Sequence, residues 1–213
     1  MSAALHEIGQ NQSLTVFGNS PIEADCGTIR AAMARYGSKS APLDETKLQD
    51  LAVSYVARFA TTRAKLEDYL RRKVRERGWE PEGAAPVEEI AMKMVDAGYV
   101  DDLSYARAKS GSLLRRGYGP RRVSQALGMA GIDEGIADEV APTEAEQRLS
   151  ALSLVRRRGF GPFGENVKDP AKREKQLAAM QRAGHSLSLA LALIDAPTTR
   201  EAECWAAEAL ELG

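Results

Sequence analysis

A six-residue motif that occurs twice limits the possible folds of this chain more than any other feature of its sequence. The motif is Arg-Arg-Gly-Tyr-Gly-Pro at residues 115–120 and Arg-Arg-Gly-Phe-Gly-Pro at residues 157–162, an offset of 42 because 157 minus 115 is 42. An Ala-Gly pair also recurs, at residues 97–98, 130–131 and 183–184. Similarity at a fixed period of about 20 to 50 residues is typical of repeat proteins. One such unit buries little apolar surface alone, so we predict that the units stack into an elongated, curved array.

The spacing of apolar residues predicts that these units are helical. The clearest helix face is formed by Leu48, Leu51, Ala52, Tyr55, Val56 and Phe59. Thr62 and Asp101 are typical N-cap residues, and Thr143 with Glu146 three residues later makes a capping box. No segment of the sequence alternates between apolar and polar residues over the length of a strand. The predicted fold class is therefore all-α, built from tandem three-helix repeats.

The helix signals predict nine helices in three sets of three, between two end segments. The predicted parts are a mostly flexible leader over residues 1–45 with a short helical candidate at 29–36, repeat 1 over 46–100, repeat 2 over 101–142, repeat 3 over 143–196, and an acidic C-terminal segment over 197–213. Repeat 3 contains an apparent insertion at residues 166–173. Gly161 and Gly184 of repeat 3 are 23 residues apart, whereas the corresponding Gly119 and Gly131 of repeat 2 are 12 residues apart.

The composition excludes several classes of protein. Hydrophobic residues make up 44% of the chain, enough for a packed core, and no apolar run reaches the roughly 20 residues of a membrane helix. Cys26 and Cys204 are isolated, which suits a reducing compartment, and we expect a cytoplasmic protein. The two histidines, His6 and His185, are too few for a zinc cluster. We predict no catalytic residues, no metal site, no cofactor and no enzyme activity.

The net charge of -1 hides a strong segregation of charge along the chain. Between residues 103 and 131 there are six basic residues and no acidic one, and between 143 and 184 there are nine basic and five acidic residues. Arginine guanidinium groups donate in a planar fork that suits phosphate or carboxylate. The alternative is that each basic residue merely solvates a helix face. The candidate residues for binding a partner or a nucleic acid are Arg107, Lys109, Arg115, Arg116, Arg121, Arg122, Arg156, Arg157 and Arg158.

Other residues with functional potential have a simpler structural interpretation. Asp101 and Asp102 resemble a carboxylate pair, but adjacent acids at a helix start favour capping. Tyr99, Tyr105 and Tyr118 are able to stack on bases, although in an all-helical array packing between helices is favoured. His185, after Ala183 and Gly184, is interpreted as a turn residue.

The motifs of the central repeat closely resemble the RecX family of regulatory proteins. They are Gly-Tyr-Val-Asp-Asp at residues 98–102, Ser-Tyr-Ala-Arg at 104–107 and Arg-Gly-Tyr-Gly-Pro-Arg-Arg-Val at 116–123. The segments at 57–59 and 62–66 are similar to the first repeat of that family, and residues 157–160 match the start of its third. The resemblance covers about residues 46–195, and its central motif is long enough to be specific.

This resemblance implies an all-helical protein that binds the bacterial recombinase RecA and modulates it in DNA repair. Members typically restrain filament growth or activity on single-stranded DNA, without a catalytic site or cofactor. We expect a monomer whose partner is the RecA filament, with direct contact to single- or double-stranded DNA left open. The alternative is an autonomous nucleic-acid-binding repeat protein. If four arginines met phosphates of duplex DNA, binding would weaken with salt with a log-log slope of about -3.6.

Overall fold

The computed structural model describes residues 41–164 and 169–211, and the regular secondary structure of this part is helical apart from a single β-bridge between Leu43 and Trp79. The prediction of an all-α fold is confirmed. The predicted leader over 1–45 and the helical candidate at 29–36 lie almost wholly outside the described residues. The described helices are α1 (Glu45–Val56), α2 (Arg63–Arg77), α3 (Val87–Asp96), α4 (Asp102–Arg115), α5 (Pro120–Gly128), α6 (Glu134–Glu139), α7 (Glu144–Arg158), α8 (Pro170–Arg182), α9 (Leu187–Ile194) and α10 (Thr199–Glu211).

All of these helices except α3 and α5 begin where a short polar side chain caps a free backbone N–H group. The side chain of Thr62 accepts a hydrogen bond from the N–H of Lys65, and Asp101 accepts one from Ser104. Thr143 and Glu146 form the predicted capping box at the start of α7. Each cap satisfies a donor that the first helical turn leaves unpaired. The capping prediction for Asp101 is therefore confirmed.

Three hydrophobic cores divide the helices into three groups, and the third core also includes residues of α10. We call α1–α3 unit 1, α4–α6 unit 2 and α7–α9 unit 3. Unit 1 packs around Leu66, Leu70 and Ile90, whereas the smaller core of unit 2 is centred on Val123 and Leu127. Stacked small cores are the expected solution for repeats that cannot fold securely alone. The residue limits predicted for each unit stay predictions.

The first helix differs from its prediction at its C-terminal end. α1 ends at Val56, and Phe59 is 57% exposed rather than inward-facing. The ring centroid of Phe59 instead lies 5.3 Å from that of Tyr55. Apolar spacing alone missed the end of α1, since the spacing continues for three residues into the following turn.

The acidic C-terminal segment contains a tenth helix where the sequence predicted only nine. α10 starts like α7, because Ala-Pro-Thr occurs at 141–143 and again at 196–198, and Thr198 accepts a hydrogen bond from the N–H of Glu201 at 3.1 Å. Ala202 and Ala206 are buried in the core of unit 3. Arg148 of α7 lies with its guanidinium carbon 4.3 Å from the ring centroid of Trp205. Acidic side chains thus occupy the outer side of a helix that completes the packing around α7.

Candidate partner-binding surface

The first copy of the motif, Gly-Tyr-Gly-Pro at residues 117–120, forms a contact between units 2 and 3. The N–H of Gly119, in the turn between α4 and α5, donates to the carbonyl oxygen of Ala183 in the turn between α8 and α9 at 2.9 Å. A Cβ atom on Gly119 would lie 2.5 Å from the carbonyl of Gly184, and one on Gly184 would lie 2.6 Å from the backbone nitrogen of Arg122. Real Cβ atoms do not approach backbone so closely, so both glycines are needed for the two turns to meet.

Units 1 and 2 meet in the same way. The hydroxyl of Thr62, at the start of α2, donates to the carbonyl oxygen of Ala130 at 2.6 Å. A Cβ atom on Gly131 would lie 2.3 Å from the Cβ of Ala64. At both junctions, the segment after the first helix of one unit contacts the Ala-Gly turn of the next. The Ala-Gly pairs at 130–131 and 183–184 therefore mark the surfaces where units join.

The junction between units 2 and 3 gathers arginines around one aromatic ring. The guanidinium carbons of Arg116 and Arg122 lie 5.4 Å and 6.0 Å from the ring centroid of Tyr118. Arg157, at the end of α7, donates from Nη2 to the carbonyl oxygen of Arg116 at 2.6 Å. We call Arg116, Arg122 and Arg157 the arginine cluster. The cation–π contacts order the side chains of Arg116 and Arg122, and the bond to the backbone orders that of Arg157, so binding costs less conformational entropy.

Neighbouring candidate residues enlarge the positive surface. Arg115 and Arg121 are exposed beside the cluster, and Arg158 is exposed at the end of α7. Within residues 41–164 and 169–211, no carboxylate forms a salt bridge with any of these three arginines. Their charges are therefore available to an anionic partner. Tyr118 has arginines over its ring, which disfavours stacking of a base there.

Two of the three remaining candidate residues form ion pairs with acids of other helices. Arg107 donates to Glu139 of α6 at 2.7 Å, and Arg156 forms an ion pair with Glu203 of α10. Arg107 precedes Arg116 by nine residues, or about 13 Å along α4 at roughly 1.5 Å per residue. Lys109 is exposed on the same helix. The charges of two of the nine predicted residues are thus already engaged by acids from other helices.

His185 has a structural role that the sequence did not indicate. It is fully buried at the junction between units 2 and 3, where its Nε2 lies 3.1 Å from the carbonyl oxygen of Gly117. This contact requires Nε2 to carry the proton. Nδ1 is buried and has no hydrogen-bond partner within the described part of the chain. Burial lowers the pKa of His185, since a charged imidazole would be desolvated there.

Acid is therefore expected to weaken folding through His185. The pKa is depressed in the folded state, so the unfolded chain binds more protons as the pH falls through about 6.5, and stability falls with it. We expect urea denaturation to give a lower free energy of unfolding at about pH 5.5 than at about pH 7.5. His185→Gln should reduce this difference. An unaltered pH dependence in His185→Gln would contradict the assignment.

The fold and the junctions define an all-α repeat protein of tandem three-helix units. A sequence profile described as "RecX, second three-helix domain" matches residues 101–140. The regulatory protein RecX of Myxococcus xanthus (strain DK1622) is 33% identical over 165 residues, covering 70% of this chain and 85% of that protein. The regulatory protein RecX of Agrobacterium fabrum (strain C58 / ATCC 33970) is 32% identical over 146 residues, covering 67% and 78%. This chain belongs to the RecX family of regulatory proteins.

Solved structures agree on the fold. The crystal structure of RecX from Lactobacillus salivarius superimposes with a TM-score of 0.54 at 21% identity, covering 68% of this chain and 90% of that one. A second crystal structure of a regulatory protein RecX gives a TM-score of 0.52 at 22% identity, covering 78% and 84%. Among the helices of the described residues, none is long and apolar enough to span a membrane. Those residues also contain no group of three or more potential metal ligands.

Proposed function

We propose that this chain is a non-enzymatic regulator that binds the RecA recombinase filament in the cytoplasm and restrains its recombination and ATP hydrolysis in DNA repair. Membership of the RecX family supports this partner. The observation that carries the proposal is the arginine cluster, with Arg115 and Arg121 beside it. We assign this surface to the polar contacts with the filament.

The geometry fixes several arginines at one position on the surface. Arginines from α4, α5 and α7 meet at one junction, and backbone contacts fix the position of that junction. Contacts made by one linked body add through effective concentration, so several weak contacts discriminate a filament from a free protomer. The paired N–H donors of a guanidinium group bind both the carboxylates of the RecA protein and the phosphates of DNA.

The double substitution Arg121→Glu and Arg122→Glu tests this assignment. Both side chains are exposed, and reversing two charges turns attraction into repulsion at the partner surface. We expect the concentration for half-maximal inhibition of RecA-dependent ATP hydrolysis to rise at least about tenfold, which corresponds to about 1.4 kcal/mol. Circular dichroism should show the helical signal of the wild-type protein.

Lys172→Glu with Lys175→Glu is the matched control, since it makes the same change of charge at exposed positions of α8. This control should inhibit like the wild-type protein. Full inhibition by the Arg121 and Arg122 variant would contradict the assignment. Equal losses in both variants would show a general effect of net charge instead.

A second candidate is binding to nucleic acid without the recombinase, and the unpaired side chains of Arg115, Arg121 and Arg158 in the described residues favour it. A salt titration of binding to DNA alone separates the two. Tight binding at physiological salt with a steep slope would support the second candidate. Weak binding that RecA restores would support the first.

A further inference from the structure

A groove with an apolar floor lies where unit 1 meets unit 2. Its volume is about 590 Å³, and its walls come from the end of α3 and the starts of α4 and α6. The floor includes Met92, Val95, Leu103 and Ile136, and Met92 is 46% exposed. A large apolar side chain in a concave surface loses contact with water when another apolar group covers it. The volume of the groove lies within the range of about 300–1,000 Å³ that is common for ligand-binding sites.

The polar part of the groove lining is acidic. Asp101, Asp102 and Asp133 line it together with Arg63, which gives a formal charge of -2. Hydrogen bonds hold the three carboxylates in place: Asp101 accepts from the N–H of Ser104 at 2.8 Å, Asp102 from the N–H of Arg63 at 2.9 Å, and Asp133 from the N–H of Gly135 at 2.9 Å. The charge of Arg63 is partly offset, since its Nε lies 3.9 Å from a carboxylate oxygen of Glu67.

We infer that this groove binds a basic amphipathic segment of a partner protein. Leucine-like side chains of the segment cover Met92 and Ile136, and its lysines or arginines pair with the three aspartates. Recognition of an amphipathic segment by an apolar groove with a charged edge is a general mode of binding. A nucleic acid does not fit here, because three carboxylates repel its phosphates. The inference goes beyond the proposed function and does not depend on RecA.

Two synthetic peptides of equal length test the inference. One has leucine and lysine on opposite faces of a helix, and in the other glutamate replaces every lysine. Fluorescence anisotropy should detect binding of the lysine peptide and not of the glutamate peptide. The triple variant Asp101→Asn, Asp102→Asn and Asp133→Asn keeps an oxygen acceptor at each position. Each exposed charge pair contributes a modest factor to the affinity, and the factors of the three pairs multiply. We therefore expect this variant to bind the lysine peptide at least about tenfold more weakly.

The triple variant Asp50→Asn, Glu82→Gln and Asp138→Asn is the matched control, since it removes three exposed carboxylates outside the groove. It should bind like the wild-type protein. Met92→Gln tests the apolar floor separately and should weaken binding several-fold at unchanged charge. Thermal melts followed by circular dichroism confirm that each variant is folded.

Three results would overturn the inference. They are no binding of the lysine peptide, equal weakening in the groove and control triple variants, and an unchanged affinity in Met92→Gln. If the groove triple variant fails to fold, Met92→Gln and the glutamate peptide, which must not bind the wild-type protein, still decide. None of these measurements contains recombinase, so a failure here leaves the proposed function untouched.

Discussion

Gly119→Ala is expected to lower the free energy of unfolding by about 3 kcal/mol, the upper end of the cost of overpacking a close contact. Gly119 has φ -85° and ψ 175°, a conformation that alanine adopts without strain. The cost is therefore steric: the new methyl group would lie 2.5 Å from the carbonyl of Gly184. It would also lengthen the hydrogen bond from Gly119 to Ala183. Urea denaturation followed by circular dichroism measures the loss.

Gly128→Ala provides the matched control for that substitution. Gly128 is the last residue of α5, and a Cβ atom there would meet no atom within 4 Å. Alanine at a compatible helical position stabilises by about 0.4–1 kcal/mol, so the expected sign is opposite. If both substitutions destabilised the protein to the same degree, any side chain added at either end of α5 would be unfavourable. The contact between the turns at Gly119 and Gly184 would then have no special role.

Disruption of this junction should also affect the proposed binding surface. The bond from Arg157 to the carbonyl of Arg116 crosses from unit 3 to unit 2, and it depends on the position of α7 relative to the turn at Gly119. Gly117 lies close as well, because a Cβ atom on it would be 3.1 Å from the Cβ of Leu154. The glycines of the motif therefore set the contact between units, while its arginines are available for binding.

The features of this fold that were predictable from sequence are local ones. Caps at Thr62, Asp101 and Thr143 depend on side chains within a few residues of the N–H groups that they satisfy. The repeated motif also located the turns at 117–119 and 159–161. Which turn contacts which was not predictable, since the partners of Gly119 and Gly184 lie in different units.

The candidate site shows the same division between local and distant information. Sequence placed Arg115, Arg116, Arg121 and Arg122 together, because they flank one turn. It gave no indication that Arg157 bonds to Arg116 across 41 residues. The ion pairs that engage Arg107 and Arg156 also join residues far apart in sequence, with Glu139 and Glu203 on other helices. Pairing of surface charges depends on tertiary structure, which a count of charges along the chain does not contain.

Thr62→Val is expected to lower the free energy of unfolding by about 3 kcal/mol at the junction between units 1 and 2. Valine has nearly the shape of threonine but has no hydroxyl, so the fully buried site is filled and two hydrogen bonds are lost. Loss of the N-cap contact to Lys65 costs about 1 kcal/mol. The carbonyl of Ala130, which is 2% exposed, would remain without the hydroxyl donor, at a cost of about 1–3 kcal/mol. Urea denaturation measures the sum.

Thr62→Ser separates the hydroxyl from the methyl group. Serine keeps both the donor to Ala130 and the cap acceptor for Lys65, and it removes one buried methyl group worth about 0.8 kcal/mol. The valine variant should therefore be less stable than the serine variant by about 2 kcal/mol, the cost of the two lost hydrogen bonds less that of the methyl group. If the serine variant were as unstable as the valine variant, packing of the methyl group would contribute as much to stability as the two hydrogen bonds. The reverse order of stability would mean that the bond from Thr62 to Ala130 contributes nothing to joining the two units.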